Sequence, residues 1–169
     1  MPAESTTAAC ILTPEAILLK LKRMAFEVAE HNVGAGGLVV LGVQGNGELV
    51  AAALVQQVEK ILKATIVTGT IFLDKTHPLR ARMAPAMDLS NQVVLVVDDV
   101  SNTGRTLLYA LAPVLQHIPK KIQTLVLVER SHKEFAVQPD FVGLSIATTL
   151  QEHIRVEAEG GVLTGAWLY

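Results

Sequence analysis

The sequence has little of several things that mark whole classes of protein. Cys10 is the single cysteine in 169 residues, so no internal disulfide can form, a disulfide-stapled scaffold is excluded, and a reducing cytoplasm is the expected home. Apolar runs such as Leu38-Val39-Val40-Leu41 and Val93-Val94-Leu95-Val96-Val97 are short, far below the ~18 consecutive residues of a membrane-spanning helix. Met1 to Cys10 has neither the basic start nor the apolar stretch of a secretion signal. Positive charge is not in surplus: 14 Lys and Arg stand against 16 Asp and Glu, for a net charge of −2, so nothing global draws the chain to polyanions or anionic membranes. One Trp, two Tyr and four Phe are few for the stacking platforms that grip single-stranded nucleic acid.

What is there is apolar side chain, 50% of the residues. A chain of this length buries roughly two thirds of its unfolded surface, enough for one domain over residues 1–169, with no repeat, low-complexity tract or linker to divide it. Thr13-Pro14 reads as a helix start, a capping hydroxyl followed by proline at the first helical position. Ile17, Leu18, Leu21, Met24, Ala25 and Val28 keep helical spacing until His31-Asn32 and the glycines at 34, 36 and 37. Leu38 to Val43, continuously apolar, predicts a strand buried on both faces. Gly45-Asn46-Gly47 turns the chain into a second helix marked by Val50, Ala53, Leu54, Val58 and Ile61, and a strand is expected over Thr65 to Leu73. Asp74 to Ser90 has no apolar period and reads as a long mobile loop. Val93 to Val97 is the clearest strand. It leads through a polar turn to a helix with Leu107, Leu108, Leu111 and Leu115, which Pro113 should kink or shorten. Leu125 to Val128 is a further buried strand, with short extended segments near 141–146, 154–157 and 162–168. Strands alternating with helices predict an α/β fold with a doubly wound, mostly parallel sheet.

The chemistry concentrates in Asp98-Asp99-Val100-Ser101-Asn102-Thr103-Gly104-Arg105-Thr106. A buried strand delivers two carboxylates to its C-terminal edge, where open α/β sheets bind ligands. Free backbone N–H groups of the turn, the start of the next helix and the hydroxyls of Ser101, Thr103 and Thr106 form a cradle suited to a phosphate monoester. Asp98 and Asp99 repel a phosphate, and suit sugar hydroxyls or a Mg²⁺ ion held through water. Capping of the turn is the structural alternative for both. A receiver-type phosphorylation domain would place such a pair after its first strand, whereas two strands precede it here.

These residues resemble the phosphoribosyl-diphosphate (PRPP) signature of type I phosphoribosyltransferases. Leu41 to Gly47, Leu127 to Glu134 and Ala136 to Gly143 extend the resemblance to about residues 11–169. It is nearest the branch of pyrimidine-operon attenuation regulators with uracil phosphoribosyltransferase activity. The resemblance implies a sheet capped by a small hood. It assigns Asp98 and Asp99 to the ribose hydroxyls, Ser101, Asn102, Thr103, Gly104, Arg105 and Thr106 to the 5′-phosphate, and Gln44, Gly45, Asn46 and Gly47 to the diphosphate loop. Arg130 and His132 fall where the hood covers the base, with pairing to Glu129 and Glu134 as the structural alternative. Asp74 to Ser90 becomes the closing loop. The implied reaction moves phosphoribosyl from PRPP, with Mg²⁺, to a nucleobase, giving UMP and diphosphate when the base is uracil. A homodimer or higher homo-oligomer is also implied.

Two departures from that pattern, and one residue that discriminates within the superfamily, bear on activity. Gln44 and Asn46 stand where the regulators carry a lysine and an arginine, and Leu73-Asp74-Lys75-Thr76 replaces a tyrosine-arginine-aspartate-aspartate run, removing positive charge from the leaving-group site. Lys75 and Arg80, with Arg82, are the cations a closing loop would bring, and the first two join Asp98 and Asp99 as candidate catalytic residues. Asn102 occupies a position where 6-oxopurine enzymes carry an aspartate base; an amide cannot accept that proton, which disfavours hypoxanthine and guanine. The same amide suits a tight turn. The alternative to the transferase is a weak or inactive regulator that binds PRPP or a nucleoside monophosphate, including an RNA attenuator. RNA is disfavoured as a partner, because Lys20, Lys22, Arg23 and the pair Lys120-Lys121 are small clusters on an acidic chain.

Overall fold

The computed structural model describes residues 7–169, so the stretch Met1 to Cys10 lies partly outside the described residues. Its strands are β1 (Ala9–Leu12), β2 (Gly37–Val43), β3 (Thr65–Phe72), β4 (Arg82–Ala84), β5 (Val93–Ser101), β6 (Lys121–Arg130), β7 (Phe141–Ile146), β8 (Ile154–Glu159) and β9 (Val162–Leu168). The helices are α1 (Pro14–His31), α2 (Asn46–Val58) and α3 (Arg105–Ala110). A six-stranded sheet has the order β4-β3-β2-β5-β6-β7, parallel except for β4, and a small antiparallel sheet has the order β1-β9-β8.

The continuous apolar strands are explained by two cores. Leu38, Val40, Val93, Leu95 and Val97 face α1, α2 and the small sheet. Val39, Leu41, Val94 and Val96 face the opposite layer with Leu107, Ala110 and Val114. Successive side chains of one strand thus feed different cores, and none is left for solvent. Thr13 caps α1 by accepting from the Ala16 N–H at 3.2 Å, as the Thr-Pro start predicts. Pro113 does shorten its helix: α3 stops at Ala110, and a 3₁₀ turn at Val114–Gln116 follows.

The expected loop over Asp74 to Ser90 is only partly a loop. It contains a 3₁₀ turn at Pro78–Arg80 and the edge strand β4 on β3, and Leu89 is fully buried. A three-residue strand is too short to show a period. Arg82 lies in it with its guanidinium 4.3 Å from the centre of the Phe72 ring, a cation–π contact. β5 also runs further than its apolar run suggests, so Asp98 and Asp99 lie within the strand rather than beyond it.

Two close approaches seat α2 on the C-terminal edge of the sheet. A Cβ at Gly42 would lie 2.8 Å from the Glu48 Cα, and one at Gly47 would lie 3.0 Å from Asp98 Oδ1. Only glycine at both positions lets the helix start touch the carboxylate pair.

Candidate active site

Asp98 and Asp99 point to different sides of β5 and have different surroundings. Asp98 is 1% exposed and its Oδ1 accepts the Asp99 N–H at 2.8 Å; Oδ2 has no hydrogen-bond partner among the described residues. Burial, and then the neighbouring Asp99 charge, push its carboxyl well above the usual carboxylate range, with Lys75 pulling it partly back. Asp99 is half-buried, accepts the Val100 N–H at 2.8 Å and opens onto a cavity of about 250 Å³.

That cavity collects most of the turn. Ser101, Asn102, Thr103, Gly104, Arg105 and Thr106 line it together with Asn46, Lys75 and Asp99. Ser101 Oγ is buried at the wall and has no partner among the described residues, which leaves a hydroxyl available to a ligand. The turn itself is held from behind. Thr103 C=O accepts the N–H groups of Glu134 and Phe135, both at 3.0 Å, and Lys133 Nζ lies 3.5 Å from the Asn102 carbonyl. Gly104 sits at φ +89°, with Val137 O 3.0 Å from where a Cβ would be, so a side chain is excluded by both backbone and space. Thr103 Oγ1 accepts the Arg105 N–H at 3.3 Å, taking one backbone donor out of the cradle. With six residues, α3 adds little dipole; hydroxyls and remaining backbone groups carry the site.

Lys75 reaches the cavity because its flanks are fixed. Asp74 Oδ1 accepts from the Thr76 N–H at 2.9 Å and from the Thr76 hydroxyl at 2.6 Å, bonds that lower the Asp74 pKa. Arg80 does not line the cavity and is exposed on its 3₁₀ turn.

The structure separates Arg130 and His132 from the cavity. Arg130 Nη2 donates to the Thr149 carbonyl, and His132 is exposed. The cover comes instead from the small sheet: Ile154, Arg155 and Val156 of β8 line the cavity. His153 and Tyr169 exchange both backbone hydrogen bonds at 2.9 Å. In that antiparallel register residues 153, 155 and 157 bond β9, so the N–H and C=O of Ile154 and Val156 point outward from the free edge. Asn46 Nδ2 confirms that direction by donating to the Val156 carbonyl at 2.8 Å. The apolar-polar alternation of Ile154-Arg155-Val156 signals a strand, but nothing local says which site it covers. The Arg155 guanidinium lies 5.0 Å from the centre of the Tyr169 ring, and the Tyr169 hydroxyl donates to Glu157 Oε1 at 2.8 Å.

Of the diphosphate-loop candidates, Asn46 lines the cavity, and Gly47 packs on Asp98. Gln44 and Gly45 are outside the lining; the Gln44 N–H donates to Ile71 C=O at 2.9 Å and the Gly45 N–H to Glu48 Oε2 at 3.0 Å.

The family model described as a phosphoribosyl transferase domain matches residues 9–158. The chain belongs to the phosphoribosyl transferase family. Within it, this phosphoribosyltransferase-family chain is 35% identical over 159 residues to the "Bifunctional protein PyrR" of Staphylococcus saprophyticus, covering 88% of this chain and 91% of the relative. It is 36% identical over 155 residues to that of Macrococcus caseolyticus, covering 86% and 89%. Among solved structures, a hypoxanthine-guanine phosphoribosyltransferase from Bacillus anthracis superposes with a TM-score of 0.75 at 18% identity, covering 94% of this chain and 96% of that one. The Trypanosoma cruzi hypoxanthine phosphoribosyltransferase gives 0.76 at 17% identity, covering 92% and 93%. At these identities the structural likeness carries the fold and leaves the base undecided.

Proposed function

We propose that the protein transfers the phosphoribosyl group of PRPP to uracil, releasing diphosphate and leaving UMP. The observation that carries this is the shared cavity: the Ser101–Thr106 turn, Asp99 and residues 154–156 of β8 line one site, which brings groups suited to a phosphate, a ribose and a flat base together.

The turn holds the 5′-phosphate through the Ser101 and Thr106 hydroxyls and its free N–H groups. Asp99, open to the cavity, accepts from a ribose hydroxyl, and the unpartnered Asp98 Oδ2 marks a place for a second hydroxyl. The edge of β8 offers N–H and C=O groups in alternation, which complements the carbonyl, N–H, carbonyl edge of uracil. Holding both reactants in line removes the entropy of their encounter, and the Ile154 and Val156 side of the cavity limits water at C1′.

Mg²⁺ is proposed to arrive with PRPP. No group of three or more His, Cys, Asp or Glu side chains able to hold a metal occurs among the described residues, so Asp99 and water would complete a shell begun by substrate oxygens, and the ion would neutralise leaving-group charge.

A second reading, a nucleotide-binding regulator with weak turnover, is favoured by the neutral side chains of Gln44 and Asn46. RNA binding has less support: Arg23 Nη2 donates to the carbonyls of Val142 and Gly143 at 2.8 and 2.9 Å, and Lys121 Nζ to that of His31 at 2.7 Å. Parts of both basic clusters are spent on backbone.

Incubating the protein with PRPP, Mg²⁺ and each nucleobase in turn is the test. UMP from uracil supports the transferase; UMP binding without product from any base supports the regulator.

A further inference from the structure

We propose that Glu48 is a specificity residue that disfavours a diphosphate at the α2 end of the cavity and tilts the site toward a nucleoside 5′-monophosphate. The proposal rests on the phosphoribosyl reading of the cavity.

The position follows from the packing of α2. Its first residue, Asn46, lines the cavity, and Gly47 lies directly against Asp98. With a 5′-phosphate in the Ser101–Thr106 turn and the ribose at the carboxylates, a group on C1′ extends toward this helix start and Lys75. A 13-residue helix ordinarily presents free N–H groups and a partial positive charge there.

Here part of those resources is already committed, at Gly45 and Glu48. Glu48 Oε2 takes the Gly45 N–H at 3.0 Å, and Glu48 Oε1 takes the Thr70 hydroxyl at 2.8 Å. The Gln44 N–H is bonded to Ile71 and the Glu48 N–H to Gly45, at 2.9 and 3.1 Å. The Asn46 amide is committed to Val156. A carboxylate fixed by donors from two elements therefore takes the Gly45 N–H and sets a negative charge behind this loop, on its β3 side and outside the lining of the cavity itself. Gln44 and Asn46 bring no compensating charge, and Lys75 is the lining cation whose charge is felt at Asp98. A diphosphate on C1′ meets the fixed charge; a ligand with no phosphate at C1′ does not.

Glu48→Gln is the discriminating variant: its amide oxygen can still accept from Gly45 while its NH2 donates to the Thr70 oxygen, so the charge is removed and both contacts have a partner. Glu48→Ala, read alongside it, also frees the Gly45 N–H. Calorimetry on the full chain with Mg²⁺ measures Kd for PRPP, for inorganic diphosphate and for UMP. The expected result is a gain of about tenfold in affinity for PRPP and diphosphate relative to UMP in Glu48→Gln, the order expected for removing one like charge near a partly exposed site, with an equal or larger gain in Glu48→Ala. Relative affinities within twofold of wild type, with UMP still bound, overturn the role of Glu48 and leave the phosphoribosyl reading standing. Failure of wild type to bind UMP or PRPP overturns that reading and the proposal with it.

Discussion

Asn46 Nδ2 donates 2.8 Å to the Val156 carbonyl, joining the first residue of α2 to the free edge of β8 across the mouth of the cavity. The large sheet and the small one meet at this side-chain bond, beside the groups that would receive ribose and base. Asn46→Ala removes the donor from a half-buried carbonyl, and a net loss of about 1 kcal/mol in stability is expected. UMP affinity should fall by more than this alone suggests, since the edge is no longer held over Asp99. Denaturant titration and calorimetry on the same sample separate the two effects.

Asp98 controls how stability varies with pH. Its carboxyl titrates well above the usual range because of burial and then the Asp99 charge, so the native state holds this proton more tightly than the unfolded chain. Its contribution is full below the unfolded value near 3.8 and is lost as pH rises through the higher native value. Asp98→Asn cannot ionise and escapes that loss. The variant should gain in unfolding free energy over wild type as pH is raised from about 4 to about 8, while losing affinity for UMP. A stability difference that does not change with pH contradicts the assignment.

Gly104 is the backbone hinge of the phosphate turn. Gly104→Ala places a Cβ at φ +89° and 3.0 Å from the Val137 carbonyl, at an expected cost of about 1–3 kcal/mol. The melting temperature should drop, and 5′-phosphate ligands should lose affinity more than nucleosides do.

Much of this was legible along the chain. Thr13-Pro14 announces α1, and the unbroken apolar run of β5 followed by Asp98-Asp99 and a hydroxyl-rich turn announces the site, because these are local patterns. β4 was hidden by its length. The part β8 plays is not legible, because a short edge strand gains its position only from its partner β9 and from Asn46; Arg130 and His132, which the resemblance places at the hood, do not line this cavity. Glu48 was unreadable for a related reason: its acceptors' roles depend on Thr70 of β3, 22 residues away in sequence.

Lys133 supports the site from behind. Its Nζ lies 3.2 Å from Glu129 Oε2, with both side chains nearly buried, and also touches the carbonyls of Asn102 and Arg130. Lys133→Met strands a buried carboxylate, and about 3 kcal/mol of destabilisation is expected. Adding Glu129→Leu should recover most of the stability without restoring UMP affinity, because the tie to Asn102 stays broken. Recovery of both would assign Lys133 to the ion pair alone.

Recognition of a 5′-phosphate by the Ser101–Thr106 turn is the central claim, and comparing UMP with uridine in one calorimetric experiment tests it most directly. Two charge-assisted hydrogen bonds together contribute about 3 kcal/mol or more, so UMP should bind at least roughly 100-fold more tightly than uridine. Equal affinity for the two would contradict the account.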